Sequence, residues 1–296
     1  MTEQKINILP DYMTALNAVD QFLTLNNREL ILPMLRTSVI ASPITNIEDL
    51  QIKSFSGSTK NFFITVDKIL FKHIEFVDEK IRPNTFEEFL NILTSDDKNT
   101  MLYGVLSASF DTLDKRSMLC QNCNEEIIFD VKLDEMVHED TFKNQWNKPV
   151  SVIDWRETLD IFGNGQLKIT VKYMVESDIL KMYEGNSNSK IKKLLEETGK
   201  PYSQSELTAA TIDKIEIKQA NDELLILDNY DSIYNFYTKA PIQLQKKIIE
   251  KIDTIELEDT MPVFYQEVQC PKCTTNNTFY MTDLSKDLLN ELYKLL

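Results

Sequence analysis

Two short stretches decide the fold of this chain: Leu119-Cys-Gln-Asn-Cys123 and Gln269-Cys-Pro-Lys-Cys273. They contain the four cysteines of the 296 residues, arranged as two CxxC pairs about 150 residues apart. A CxxC turn places two thiolates on one small turn, and two such turns supply the four sulfurs that a structural zinc ion prefers. The spacing therefore predicts one shared Zn²⁺ site whose ligands are Cys120, Cys123, Cys270 and Cys273.

The residues around each pair predict a strand, a turn and a second strand. In both stretches a phenylalanine stands six residues beyond the second cysteine, as Phe129 and Phe279. Neither pair begins a helix inside a βαβ pattern, where a thioredoxin-like redox CxxC is expected. Two alternatives stay open: reduced or separately metallated pairs, and redox chemistry.

The long segment between the pairs is the main objection to a shared site. Closing a loop of about 150 residues costs about 4 to 5 kcal/mol. A structural zinc site contributes about 10 kcal/mol or more near neutral pH. The metal therefore outweighs the cost of closure, and packing of the intervening residues lowers that cost further.

Composition indicates a globular protein, with 42% hydrophobic and 27% charged residues. The first residues are followed by no apolar run of signal-peptide type, and no stretch approaches the roughly 18 apolar residues of a membrane span. We therefore expect synthesis in the cytoplasm and no membrane partner. A reducing compartment favours metal ligation over disulfide formation for two CxxC pairs.

The charge balance argues against one common class of zinc protein. The formal net charge is −15, whereas nucleic-acid-binding proteins usually present a basic face. The one dense basic cluster, at residues 190–193, is followed at once by two glutamates and is typical of a solvated helix face. We expect no nucleic-acid partner.

Hydrophobic periodicity predicts an α+β fold. In the first half it predicts short strands at 5–10 and 28–33, a helix of about 20 residues from Thr59 with apolar spacing as far as Ile81, a short helix at 85–93, and a helix capped by Ser95. In the second half it predicts strands at 150–155 and 166–174 with a turn at 163–165, a loop at 184–189, and helices at 206–220, 230–237, 242–252 and 283–296.

The two halves repeat one order of elements: strands, helices, a short aromatic helix, a longer helix, and a strand, CxxC turn and strand. This order predicts an internal duplication, with an N-terminal lobe at 1–145 and a C-terminal lobe at 146–296. The lobes would be similar, and the shared zinc site would join them. A period near 150 residues is too long for a solenoid repeat.

The sequence offers few catalytic groups. His73 lies in the predicted long helix and reads better as a buried, hydrogen-bonded side chain than as a catalytic one, and His138 is a candidate extra metal ligand. Packing or an interface explains Trp146 and Trp155 as well as a ligand would. No phosphate-binding loop, GxSxG or HExxH motif is present, and the chain has six glycines. By elimination, the sequence predicts a scaffold that binds other proteins and is not an enzyme.

Two segments carry a resemblance to a known family. The stretch at 94–110 before the first CxxC, and the run from Ile233-Tyr-Asn-Phe-Tyr237 through Ala240-Pro241 to the second CxxC, resemble baseplate hub proteins of contractile-tailed, T4-type phages. The resemblance covers most of residues 25–135 and 205–284. It implies a non-enzymatic structural or assembly role in the hub or wedge region of the baseplate, with other baseplate and tail proteins as partners. It also implies the four cysteines as metal ligands, and a location in the host cytoplasm at synthesis and in the virion tail if the protein is retained.

Three functional hypotheses follow. The first is a virion or assembly protein in which zinc fixes two lobes, with no small-molecule substrate. The second is a zinc-ribbon regulator of transcription or translation, which predicts nucleic-acid affinity that falls steeply with salt. The third is a redox enzyme using one CxxC, which predicts a thiolate of depressed pKa and reductase activity. The acidic charge favours the first over the second.

Overall fold

The computed structural model describes residues 26–44, 59–139, 156–185, 203–219, 222–256, 263–281 and 284–294. Over these residues the protein is an α+β fold of helices and small antiparallel sheets, as expected. The strands predicted at 5–10 and 150–155, the two tryptophans, the basic cluster and most of the loop predicted at 184–189 lie outside the described residues. No helix in the described part of the chain combines the length and apolar character needed to cross a membrane.

The described α-helices are α1 (Thr59–His73), α2 (Phe86–Ile92), α3 (Ser95–Ser109), α4 (Glu176–Gly185), α5 (Gln204–Ala210), α6 (Tyr230–Lys239), α7 (Ile242–Glu256) and α8 (Leu284–Lys294). The strands are β1 (Arg28–Ile31), β2 (Ser38–Ala41), β3 (Ile74–Phe76), β4 (Thr112–Leu119), β5 (Glu126–Lys132), β6 (Val137–Glu139), β7 (Arg156–Asp160), β8 (Leu167–Lys172), β9 (Ile212–Lys218), β10 (Leu224–Leu227), β11 (Val263–Gln269) and β12 (Asn276–Met281). A 3₁₀ turn, Leu133–Glu135, follows β5.

The first half builds a sheet of order β1–β2–β3, and α3 packs on β1 and β2. This approach is close, because a methyl group at Gly104 of α3 would overlap the Leu30 side chain. Helices α2 and α3 begin at threonines whose hydroxyls accept backbone N–H groups, Thr85 from Glu88 and Thr94 from Asp97. The cap of α3 is therefore Thr94, one residue before the predicted Ser95.

The prediction of one helix of about 20 residues from Thr59 is wrong at its end. Helix α1 stops at His73, and the next three residues form β3. Ile74 and Phe76 are buried and the residue between them is exposed, which is the period of a strand. Pairing of these residues with β2 satisfies their backbone groups and overrides the helical spacing that continues to Ile81.

The second half builds a four-stranded antiparallel sheet of order β10–β9–β8–β7. The turn predicted at 163–165 is confirmed: Gly163 and Gly165 both have positive φ, and the Asp160 carboxylate accepts their N–H groups at 3.0 and 2.8 Å. Helices α6 and α7 are also where the sequence predicts them. They pack with β8 and β9 in what we call the second core, around Ile169, Ile215, Ile233, Tyr237 and Ile248.

The helix predicted at 206–220 is wrong beyond Ala210. Helix α5 is capped by Ser203 with a reciprocal bond from Glu206, and it ends at Ala210. Residues 212–218 form β9, because Ile212 and Ile215 are buried in the second core and the backbone pairs with both β8 and β10. The three isoleucines of this stretch suit a pleated surface better than a helix.

The repeated order of elements is present in the structure. The first half runs α2, α3, β4, CxxC turn, β5, and the second runs α6, α7, β11, CxxC turn, β12. The duplication itself stays a prediction. Residues of both predicted lobes also share a core: the first core joins α1, α2, α3 and β1–β3 with side chains from the C-terminal end, Phe264, Met281, Leu284 and Leu288.

Three buried charges fasten α4 to the first core. Nζ of Lys98 in α3 lies 2.6 Å from Oδ1 of Asp67 in α1 and 3.1 Å from Oε1 of Glu176 in α4. Burial raises the pKa of Asp67 to about 7, although the Lys98 ammonium lowers it. The Glu176 N–H also donates to the Leu93 carbonyl at 2.9 Å. The ion network therefore joins elements from both halves of the chain.

Lys98→Met keeps the aliphatic stem and leaves two buried carboxylates without their cation. Breaking a buried ion pair from one side costs about 3 to 5 kcal/mol, and we expect urea titration to show a loss of unfolding free energy of about that size. Lys132→Met is the control, because Lys132 pairs with Glu135 at the surface and exposed pairs contribute about 1 kcal/mol or less. Equal losses in the two variants would contradict a stabilising role for the buried network.

Candidate metal centre

Each cysteine pair lies at the turn of an antiparallel hairpin, as predicted. Strands β4 and β5 pair as far as Leu119 opposite Glu126, and β11 and β12 pair as far as the corresponding residues of the second hairpin. In the first turn the Cys120 N–H donates to the Glu125 carbonyl at 2.8 Å, and the Asn124 N–H donates to the Cys120 carbonyl at 2.9 Å. The second turn repeats both bonds 150 residues later, at 2.9 and 3.0 Å.

Each turn requires one residue in the left-handed region of backbone space. Asn124 has a φ of 56° and Thr274 has a φ of 59°. Asparagine tolerates this conformation, whereas a β-branched threonine is strained in it. The second turn therefore holds its conformation against a local cost that the rest of the hairpin offsets.

The two turns bring the four cysteine sulfurs into one cluster. Sγ of Cys120 lies 3.6 Å from Sγ of Cys273, and Sγ of Cys123 lies 3.7 Å from Sγ of Cys270. All four sulfurs lie within 4.8 Å of one another. These separations are far longer than the roughly 2.0 Å of a disulfide, and all four cysteines are free thiols.

The donor set has the dimensions of a metal site. A tetrahedron with a metal–sulfur distance of about 2.3 Å has sulfur–sulfur edges of about 3.8 Å. The short separations of 3.6 and 3.7 Å match such edges closely. Cys120 and Cys270 are buried and Cys123 and Cys273 are half-buried, so each turn offers one inner and one outer ligand. The four residues named by the sequence can therefore hold one metal ion together.

Hydrogen bonds favour the thiolate form of one cysteine in each turn. The Cys123 N–H lowers the pKa of Cys120, and the Asn122 N–H acts in the same direction. The Thr275 hydroxyl, 3.3 Å from the Cys273 sulfur, lowers the pKa of Cys273 to about 5 together with the Thr275 N–H. Donors aimed at sulfur stabilise the negative charge that metal binding requires.

Crowding has the opposite effect on Cys123. The Glu125 N–H lowers its pKa, but burial and the three neighbouring sulfurs raise it to about 12. Four thiolates cannot accumulate in so small a volume unless a cation neutralises part of their charge. A bound dication lowers the pKa of every coordinating thiol, so the cluster is arranged for a metal better than for free thiols.

The hairpins also contact each other without the metal. Strand β6 continues from the first hairpin and pairs with β11 of the second, with Val137 opposite Tyr265. Beside the cysteines, the rings of Phe129 and Phe279 meet edge to face with centroids 5.1 Å apart. Gln266 links the hairpins by accepting from the Lys132 N–H at 3.0 Å and donating to a carbonyl of β5. These contacts hold the two turns in register.

Asn277 is the site residue that the sequence analysis missed. It is buried, its Oδ1 accepts the Gln121 N–H at 2.9 Å, and its Nδ2 donates to the Thr275 carbonyl at 2.9 Å and lies 3.8 Å from the Cys120 sulfur. It therefore connects one turn to a ligand of the other. The sequence does contain a signal for it. When the two CxxC stretches are aligned with a shift of 150 residues, Asn277 stands where the first hairpin has the apolar Ile127.

An exposed ion pair joins the two turns beside the cysteine cluster. Nζ of Lys272 lies 2.7 Å from Oε2 of Glu125 in the opposite turn, and this pairing raises the pKa of Lys272. Both side chains are exposed, so the pair contributes little to stability. Cys123 and Cys270 also raise the pKa of Lys272, so this ammonium group lies close enough to the cluster to interact with its thiolates.

The histidines lie in other elements. His73 is buried at the end of α1, and the Ser42 hydroxyl lies 3.3 Å from its Nδ1, which agrees with the predicted hydrogen-bonded role. His138 lies in β6, where its backbone pairs with Phe264. Its role as an extra ligand stays a prediction.

Comparison of the chain with protein-family models, with curated proteins and with solved structures finds no match. The geometry of the cysteine cluster therefore carries the functional argument.

Replacing Thr274 by glycine tests whether the left-handed conformation strains the second CxxC turn. The left-handed conformation costs a non-glycine residue about 1 to 2 kcal/mol, so we expect Thr274→Gly to raise the unfolding free energy of the metal-bound protein by up to about 1 kcal/mol. Asn124→Gly is the matched variant, and its effect should be near zero because asparagine tolerates the same φ. Urea titration of both variants checks this. A destabilised Thr274→Gly would show that the second turn differs from the first.

Proposed function

We propose that Cys120, Cys123, Cys270 and Cys273 bind one structural Zn²⁺ ion. A four-thiolate tetrahedral set suits zinc or iron, and two CxxC turns facing each other are typical of structural zinc sites. The observation that carries the proposal is the sulfur cluster itself, with separations of 3.6 and 3.7 Å between cysteines of different turns. The metal would connect residues that lie 150 positions apart.

The proposed site is structural and not catalytic. Four protein ligands fill a tetrahedral shell and leave no position for a substrate, whereas catalytic zinc keeps one position open. Coordination also occupies all four cysteines of the chain, so no thiol remains for redox exchange. Both arguments give the cysteines a structural role, and we propose with them that the protein is not an enzyme and acts on no small molecule.

We propose that this metal-linked scaffold is a structural or assembly component of a contractile phage tail baseplate, in its hub or wedge region. The support is the resemblance of residues 25–135 and 205–284 to the T4-type hub family, together with a closed metal site. Its partners would be other baseplate proteins, met first in the host cytoplasm and then in the virion tail. The net charge of −15 speaks against a nucleic-acid partner.

Metal analysis tests the zinc proposal. We expect close to one Zn²⁺ per chain, and Cys→Ser at any ligand should release it and lower the unfolding free energy by several kcal/mol, since metal binding free energy is folding free energy. Ser117→Ala, on the exposed face of β4, is the control and should keep its zinc. Two ions per chain, iron in place of zinc, or a folded protein without metal would contradict the proposal.

The baseplate proposal implies that a contractile-tailed phage encodes this chain, and infection with that phage is the test. With Cys270→Ser in the phage genome we expect few complete tails by electron microscopy, because the scaffold loses its metal link. Thr274→Gly keeps all four ligands and should give normal particles. Mass spectrometry of wild-type virions and lysates then distinguishes a retained subunit from an assembly factor. Normal particle yield with a metal-free Cys270→Ser chain would refute this function.

A further inference from the structure

Strand β10 lies at one edge of the four-stranded sheet that the described residues form. It pairs with β9, and no other described strand covers its outer side. Its sequence is Leu224-Leu-Ile-Leu227, and the first three side chains are 55, 41 and 47% exposed. Soluble proteins usually protect an edge strand with charged residues, proline or a bulge. This one has none of them.

The opposite edge of the same sheet shows the usual protection. Strand β7 carries Arg156, Glu157 and Asp160 among its five residues. Nε of Arg156 lies 2.9 Å from Oδ2 of Asp213, and Glu157 pairs with Lys251. The apolar character of β10 is therefore a property of one edge and not of the whole sheet.

The backbone of β10 has groups directed away from β9. The Gln219 N–H donates to the Glu223 carbonyl at 2.8 Å, and hydrogen-bonded pairs alternate along an antiparallel ladder. With the observed register, the backbone groups of Leu225 and Leu227 face β9, and those of Leu224 and Ile226 face outward. An added strand would find two N–H and two C=O groups in ladder geometry.

Side chains on both faces of β10 suit an added apolar strand. Leu225 and Leu227 stand opposite Ile217 and Ile215, which pack in the second core, so this face of the edge continues a hydrophobic surface. On the other face, Leu224 and Ile226 stand beside the charged side chains of β9. A partner that adds apolar residues would bury leucine and isoleucine side chains now in solvent.

Charges at the two ends of β10 decide between possible occupants. Asp222 and Glu223 precede the strand and Asp228 follows it, all exposed, and the Asp222 carboxylate pairs with Lys218 of β9 at 2.8 Å. A second copy of this chain that paired antiparallel through the outward groups of Leu224 and Ile226 would place Asp222 opposite Asp228 twice. Like charges directly opposite each other destabilise a strand pair, and each chain carries a net charge of −15. The edge therefore fits a basic segment better than itself.

We propose that β10 docks an extended segment of another protein, in which alternating apolar residues are flanked at both ends by lysine or arginine. The segment adds a fifth strand to the sheet through the outward backbone groups of Leu224 and Ile226. This inference rests on the proposed scaffold function and gives the chemistry of one of its partners. It places the docking edge on the second core, in a different sheet from the two cysteine hairpins.

Fluorescence anisotropy with a labelled synthetic peptide tests the proposal on the full, zinc-loaded chain. The probe is Lys-Arg-Val-Thr-Val-Thr-Val-Lys-Arg, and its control carries glutamate and aspartate in place of the basic residues. We expect the basic probe to bind at least about tenfold more tightly than the acidic one at low salt, with the difference shrinking as salt screens the charges. Amide exchange at Leu224 and Ile226 should slow with the basic probe.

Two kinds of variant separate backbone pairing from charge. Ile226→Pro removes an outward N–H without breaking the ladder to β9, which edge strands tolerate, and should weaken binding at least about tenfold. Ile226→Val keeps that N–H and should bind within about twofold of the wild type. Glu223→Gln combined with Asp228→Asn should also weaken binding and flatten its salt dependence, and this variant keeps the test decisive if Ile226→Pro does not fold.

Several results would overturn the proposal: equal binding of both peptides, unchanged binding by Ile226→Pro and by the charge variant, or no binding by the wild type. Concentration-dependent dimers that disappear in Ile226→Pro, measured by sedimentation, would assign the edge to a second copy.

Failure of the docking proposal is distinct from failure of the baseplate function. A chain present in virions that binds no peptide refutes only the docking edge, and a peptide-binding chain absent from infected-cell assemblies refutes only the baseplate role.

Discussion

Four sulfurs from two distant stretches meet in one cluster, and contacts between the two hairpins keep them there. Closing about 150 residues costs about 4 to 5 kcal/mol in chain entropy. Much of that cost is offset before any metal binds, because β6 pairs with β11, Phe129 packs on Phe279, and Asn277 bonds the opposite turn. A metal ion bound by the four cysteines would add its binding free energy to a nearly assembled site and offset the mutual repulsion of the thiolates.

The second hairpin is followed by α8, which belongs to the first core. Helix α8 packs against α3 and β4, Leu284 and Leu288 are buried there, and the Glu291 carboxylate accepts the Asp114 N–H at 3.2 Å. The second core, by contrast, is attached through the buried Lys98 network and the start of α4. The protein therefore has one region built by hydrophobic packing beside the cysteine cluster, and a second region joined to it through α4, both by the buried charges and by packing of α4 on α2.

The sequence predicts local features best where a short pattern of residues has a single structural explanation. Four cysteines in two CxxC pairs predict the cluster, and periodic apolar faces predict α2, α3, α6 and α7. Prediction fails where tertiary pairing decides: residues 74–76 and 212–218 continue a helical spacing, but buried isoleucines and a neighbouring strand make both of them strands. Asn277 could be found only by comparing the two hairpins, since its bonds cross between turns that are far apart in sequence.

X-ray absorption at the metal edge of the purified, full-length chain tests the central claim most directly. A shared site predicts a zinc edge, four sulfur scatterers at about 2.3 Å and no nitrogen or oxygen in the coordination shell, with one ion for the four cysteines of the chain. Two sulfurs completed by nitrogen or oxygen ligands at each of two ions would contradict the account, because each turn would then hold its own metal and nothing would draw the two stretches together.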